Sequence, residues 1–144
     1  MAAVRTAEAH WEGSLKEGEG EVELVSSGLG NFEVSWPARV EQPNGKTSPE
    51  ELIAAAHSTC FSMSVANELV LAGNPAPDSI DTRAEVTFQP GKGITGIVLT
   101  VRAVVPGIDD SRFSAAVAAA EKNCPVSRAL TGTEITVKAS LGSS

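Results

Sequence analysis

Two thiols, Cys60 and Cys124, are the residues of this chain best suited by type to carry a reaction, and they stand in unlike surroundings. Cys60 lies in an apolar helical run, whereas Cys124 directly precedes Pro125. A thiolate is both a nucleophile and a metal ligand, and a pair of thiols can cycle between dithiol and disulfide. Cys60 shares a helical stripe with Leu52, Ala56, Met63 and Asn67. Its plainest role is that of a small buried hydrophobe, inert unless a cation lies beside it. Cys124 falls where a short helix after Pro125 points its partial positive end, which lowers a thiol's pKa. Local context therefore makes Cys124 the more acidic thiol. A structural disulfide is the alternative, and cysteines 64 residues apart meet only through the tertiary fold.

Other side chains could supply charge. Glu50 and Glu51 both favour the dipole of the helix they open, but the cap needs only Glu51, so Glu50 is free for other work. Arg39 is either a solvated surface residue or the cation a thiolate needs. In a carboxylate–arginine–thiolate chain the guanidinium stabilises the sulfur and the glutamate fixes the guanidinium fork. His57 stands three residues before Cys60, and with Cys124 and His10 could complete a Cys2His2 zinc site. No CxxC or HxxxH pair pre-forms such a site, so no metal is expected. Ser127 with His57 makes a weak hydrolase pair, because the chain has no G-x-S-x-G elbow.

The elements that must position these residues fit one domain spanning residues 1–144. A net charge of −7 and a pI near 4.8 argue against nucleic acid or an anionic membrane as partner. The first ten residues lack the apolar run of a signal peptide, and no stretch approaches a membrane span. The expected location is a reducing cytoplasm, where paired thiols are more often catalytic or metal-binding than stapled.

A strand is expected near Ala7 to Trp11. Glu21–Val25 and Phe32–Trp36 alternate as two more, closing a hairpin or meander. At Ser48-Pro49-Glu50-Glu51 the period changes to that of a helix, with serine at the cap, proline at the first helical position and glutamate three residues after the cap. Apolar and small residues dominate from Leu52 to Ala72, and no charge falls between Glu51 and Glu68. A helix without a charged face should be buried nearly all round, with a sheet on one side and a second subunit on the other, which predicts an obligate dimer. Two alternating strands follow, around a turn at Gln89–Gly93, then a helix from about Asp110, a short helix over Val126–Leu130 with Cys124 at its cap, and a last strand over Thr133–Leu141. The class is α+β, with helices packed on largely antiparallel sheet.

The run Ser48-Pro49-Glu50-Glu51-Leu52-Ile53-Ala54-Ala55-Ala56-His57-Ser58-Thr59-Cys60-Phe61-Ser62-Met63, joined to Asn123-Cys124-Pro125-Val126-Ser127, closely resembles the OsmC/Ohr family, and Arg39 matches its OsmC branch. The resemblance covers nearly the whole chain. It implies an intertwined α+β homodimer, with antiparallel β-sheets packed around a central buried helix and active sites at the subunit boundary. It further implies a thiol-dependent peroxidase with Cys60 as the attacking thiol, Cys124 as the resolving thiol, Arg39 as the catalytic cation and Glu50 as its orienting carboxylate. Organic hydroperoxides are then the substrates, a dithiol such as a dihydrolipoyl group the reductant, and no dissociable cofactor is required. The apolar neighbours Ile53, Phe61 and Met63 would favour alkyl or lipid hydroperoxides. A non-enzymatic dimer that binds an apolar ligand or senses oxidation is the rival reading. Ten residues of helix between Glu50 and Cys60 span about 15 Å, so the two cannot touch within one helix. The expectation is that Glu50, through Arg39, serves the cysteine pair of the other subunit.

Overall fold

The computed structural model describes residues 1–142, which divide into two compact units, Met1–Leu52 and Ile53 onward. In the first, strict alternation builds a three-stranded antiparallel meander from β1 (Glu8–Glu12), β2 (Glu19–Glu23) and β3 (Asn31–Val34). The register pairs Ala9 and Phe32 with Val22, and Trp11 and Val34 with Gly20. These residues share one face of the sheet, while the glutamates of all three strands share the other. Gly20 is required by its neighbour, since a Cβ there would lie 2.5 Å from the Trp11 ring.

The expected strand over Phe32–Trp36 stops at Val34, and a five-residue helix, α1 (Trp36–Val40), replaces its end. The cause is local: the Ser35 hydroxyl accepts the Ala38 N–H at 3.2 Å, and Pro37 occupies the first turn, where its missing N–H costs nothing. The helix α2 (Pro49–Leu71) begins as the capping sequence predicts, with the Ser48 hydroxyl accepting the Glu51 N–H at 3.1 Å. The Glu51 carboxylate accepts the Thr47 hydroxyl instead of completing a reciprocal box.

The second unit is a mixed sheet in the order β4 (Ser79–Gln89), β5 (Gly93–Val104), β6 (Ile135–Leu141), with α3 (Asp110–Asn123) and α4 (Pro125–Ala129) in the connection between β5 and β6. The first two strands form an antiparallel hairpin around the expected turn. The sheet is not antiparallel throughout: β5 and β6 run parallel, because the two intervening helices carry the chain back before β6 begins. The core is built from Phe61, Val65 and Leu69 of α2, Ile97, Leu99 and Val101 of β5, and Phe113, Val117 and Ala120 of α3. The α2 contribution is a single stripe at four-residue spacing that begins with His57. The opposite face of α2 is open in the single chain, with Met63 68% exposed and Ala55, Thr59 and Val70 also in solvent. The single chain thus covers one face of α2, a helix that carries no charge on either face between Glu51 and Glu68.

Candidate active site

The residues singled out in the sequence form two clusters, one in each unit. In the first, α1 presents Arg39 in its last turn and α2 presents Glu50 in its first. The Arg39 Nε donates to Glu50 Oε1 at 2.9 Å and Nη2 to Oε2 at 2.7 Å, a two-point fork that fixes the guanidinium plane. Glu50 is 6% exposed, and such a carboxylate is tolerated because the fork and the helix N-terminus both favour its charge. Arg39 also lies over the Trp36 ring, 5.9 Å from its centroid. A cavity of about 480 Å³ opens beside the pair, walled chiefly by apolar groups of Trp11, Leu15, Val22, Trp36 and Leu52. The α1 helix is what aims Arg39, and its signal, a capping serine with proline two positions on, is a looser form of the Ser48-Pro49 signature.

In the second cluster α2 carries Cys60, and the junction of α3 and α4 carries Cys124. Both are free thiols, with their sulfurs 3.4 Å apart. Cys124 is fully buried and Cys60 partly so. Burial pushes the Cys60 thiol up, and its contact with Cys124 adds to this against the opposing Val126 N–H and Ser64 hydroxyl. Burial also opposes ionisation of Cys124, but is outweighed by the Ser127 N–H and hydroxyl, Cys60 and the Val126 N–H, so that this thiol falls below its ordinary value. The Cys124 thiol donates to the Cys60 sulfur, and the two opposite shifts make Cys124 the more acidic of the pair. The order agrees with the local context of the two cysteines.

His57 and Ser127, weak candidates in the sequence, also meet in this unit. The His57 Nε2 lies 2.7 Å from the Ser127 Oγ, with His57 wholly buried and Ser127 nearly so. Burial holds His57 below its ordinary pKa, so the ring is neutral at neutral pH. Its Nδ1 has no hydrogen-bond partner among the described residues. Asn123, beside Cys124, donates through Nδ2 to Glu68 Oε1 of α2 at 2.9 Å. Of the three apolar candidates, Phe61 is sealed in the core, Ile53 is half-buried and Met63 is exposed. Among the described residues no group of three or more His, Cys, Asp or Glu side chains could hold a metal, and His10 is engaged with Glu12 at 3.4 Å. No helix among them is long and apolar enough to cross a membrane.

The chain is 42% identical over 133 residues to the peroxiredoxin OsmC of Escherichia coli, an alignment covering 90% of this chain and 92% of that protein. It is 34% identical over 91 residues to an organic hydroperoxide resistance protein of Xanthomonas axonopodis, covering 60% and 61%. Among solved structures it superposes with a TM-score of 0.69 and 25% identity on an organic hydroperoxide resistance protein OsmC from Legionella pneumophila, covering 96% of this chain and 99% of that one. A model of the OsmC-like protein family matches residues 42–140, from the loop before α2 into the last strand and across both cysteines, and with the extent of the first of these likenesses it makes this chain a member of that family.

Proposed function

We propose that the chain is a cysteine-based peroxidase that reduces organic hydroperoxides to alcohols. The observation that carries this reading is the approach of the two free sulfurs to 3.4 Å, close enough for a change of rotamer to bring them to the roughly 2.05 Å of a disulfide. The names of the relatives, peroxiredoxin and organic hydroperoxide resistance protein, support the same chemistry.

In the first step the Cys60 thiolate attacks the terminal oxygen of ROOH. An S–O bond forms, the O–O bond breaks, and alkoxide leaves to be protonated as ROH, which makes Cys60 a sulfenic acid. Cys124 then attacks that sulfur, forming the Cys60–Cys124 disulfide and expelling the oxygen as water. A dithiol reductant, such as a dihydrolipoyl group, returns both thiols. Every electron comes from sulfur, so no dissociable cofactor is called for.

Burial raises the Cys60 pKa, so the first step needs a cation. Arg39 fits that role, its fork being preset by Glu50. α2 is continuous from Pro49 to Leu71, and the ten residues between Glu50 and Cys60 extend about 15 Å along its axis. We therefore assign the Arg39–Glu50 pair of one protomer to the cysteine pair of the other, in a homodimer built on the uncharged open face of α2. The apolar cavity beside Arg39 suits an alkyl or lipid hydroperoxide better than hydrogen peroxide.

The test is to treat the reduced protein with one equivalent of cumene hydroperoxide and map the products by mass spectrometry. One equivalent of alcohol with a Cys60–Cys124 disulfide is expected; two free thiols and no alcohol end the reading. The same apolar cavity would also suit a non-enzymatic binder or oxidation sensor. Sustained turnover with a dithiol excludes that alternative, and a single oxidation without turnover favours it.

A further inference from the structure

The peroxidase reading leaves one buried pair unused. His57 lies three residues before Cys60 on α2, and Ser127 three residues after Cys124 on α4, so the two helices that carry the thiols are joined a second time by the 2.7 Å contact between His57 Nε2 and Ser127 Oγ. A polar pair inside an apolar core is costly, and this one leaves His57 Nδ1 without a partner among the described residues. Ser127 stands three residues after Cys124, which caps α4, and its hydroxyl and N–H both favour the ionised form of that thiol. Ser127 thus stands between Cys124, one turn before it, and the His57 imidazole, to which its Oγ is hydrogen-bonded.

We propose that Ser127 and His57 are positioning residues for the resolving half of the reaction, with the Ser127 hydroxyl holding the Cys124 sulfur and passing its proton to His57 Nε2 as Cys124 attacks the Cys60 sulfenic acid. The proton inventory closes. The Cys124 S–H proton moves to the Ser127 oxygen while the Ser127 proton moves to Nε2; the relay uses the tautomer with the resting proton on Nδ1, so the ring becomes imidazolium. The Cys124 sulfur forms the S–S bond, the S–O bond of the sulfenic acid breaks, and the departing hydroxide takes the proton back from the ring as water. The peroxide is the only oxidant.

The groups facing this relay are few. From α2 come Cys60 and His57 itself. From α3, Glu121 shares with Ser127 the lining of an open cavity of about 250 Å³, together with Thr131, Thr133, and Ile135 and Val137 of β6. His57 and Ser127 are the buried polar side chains of this unit among the described residues. A ring kept neutral by burial is available as a proton acceptor near neutral pH and is lost as one when acid titrates it.

The inference rests on the peroxidase reading for its second half-reaction, but its first test does not. In a reduced Cys60→Ser background, the ionisation of Cys124 is followed by thiolate absorbance against pH. Ser127→Ala is expected to move the midpoint upward by about one unit, and Ser127→Thr, which keeps the hydroxyl, to restore it. In the protein with both cysteines, Ser127→Ala and His57→Gln are expected to slow disulfide closure about tenfold after one equivalent of cumene hydroperoxide, with sulfenic acid trapped by a 1,3-dione and the acid limb of the closure rate flattened in His57→Gln. A pair that merely ties the helices together would lower stability without moving the thiol midpoint. An unshifted midpoint in a folded Ser127→Ala protein overturns the inference, whatever happens to turnover. Failure of the unsubstituted protein to release alcohol removes the peroxidase reading and leaves the thiol midpoint to decide this one.

Discussion

Arg39 grips Glu50 through two parallel hydrogen bonds, at 2.9 and 2.7 Å, and the carboxylate is almost fully enclosed. The guanidinium is therefore fixed before any substrate arrives, which is the condition under which a cation stabilises developing negative charge without reorganisation.

Glu50→Gln keeps the volume but removes the charge and one acceptor of the fork, leaving the guanidinium free to turn. The expected result is a loss of about a hundredfold in kcat/KM for cumene hydroperoxide with the fold intact, read by steady-state kinetics beside circular dichroism. A loss of less than about threefold would show that the fork does not set the rate.

The two thiols should separate cleanly by role. Cys60→Ser is expected to release no alcohol. Cys124→Ser should release one equivalent in a single turnover and then hold a sulfenic acid that cannot close to a disulfide, visible by mass spectrometry as a gain of one oxygen. Alcohol release from Cys60→Ser and none from Cys124→Ser would exchange the assignments, an outcome worth testing because Cys124 has the lower pKa in the single chain.

His57 makes stability depend on pH in a defined direction. Burial lowers its folded pKa below the 6.5 of the free side chain, so between the two values the unfolded chain binds more protons than the native one, and stability rises with pH. The contribution is complete above about 6.5 and is lost as pH falls from there toward the folded pKa. Thermal unfolding from pH 7 down to pH 5 should show a falling midpoint whose slope is reduced in His57→Gln; the same slope in both proteins would place the acid sensitivity elsewhere.

Much of the chain from Ser48 onward was legible because its signals are long and local. The Ser48-Pro49 cap, the Gln89–Gly93 turn and the break before Pro125 all fall where the chain changes period, and the elements start and stop there. The α1 helix was hidden because Phe32, Val34 and Trp36 sustain a strand-like alternation across a five-residue helix whose only signals are Ser35 and Pro37. The parallel pairing of β6 depends on where two helices return the chain, which no window of sequence contains. The Arg39–Glu50 and Cys60–Cys124 pairs were found through the resemblance and motif chemistry. The contact between His57 and Ser127 spans 70 residues and follows no spacing rule, so only the fold brings it to light.

The central claim is that Arg39 of one protomer ionises Cys60 of the other, and a hybrid dimer tests it most directly. Arg39→Ala and Cys60→Ser proteins are purified as separately tagged chains and each assayed alone, then as a co-expressed hybrid isolated through both tags. Exchange across the subunit boundary places an intact Arg39 beside an intact Cys60 in one of the two sites, so the hybrid should recover about half the activity of the unsubstituted dimer while each parent stays near zero. A hybrid no more active than its parents, or a chain that purifies as a monomer with full activity, would contradict the account.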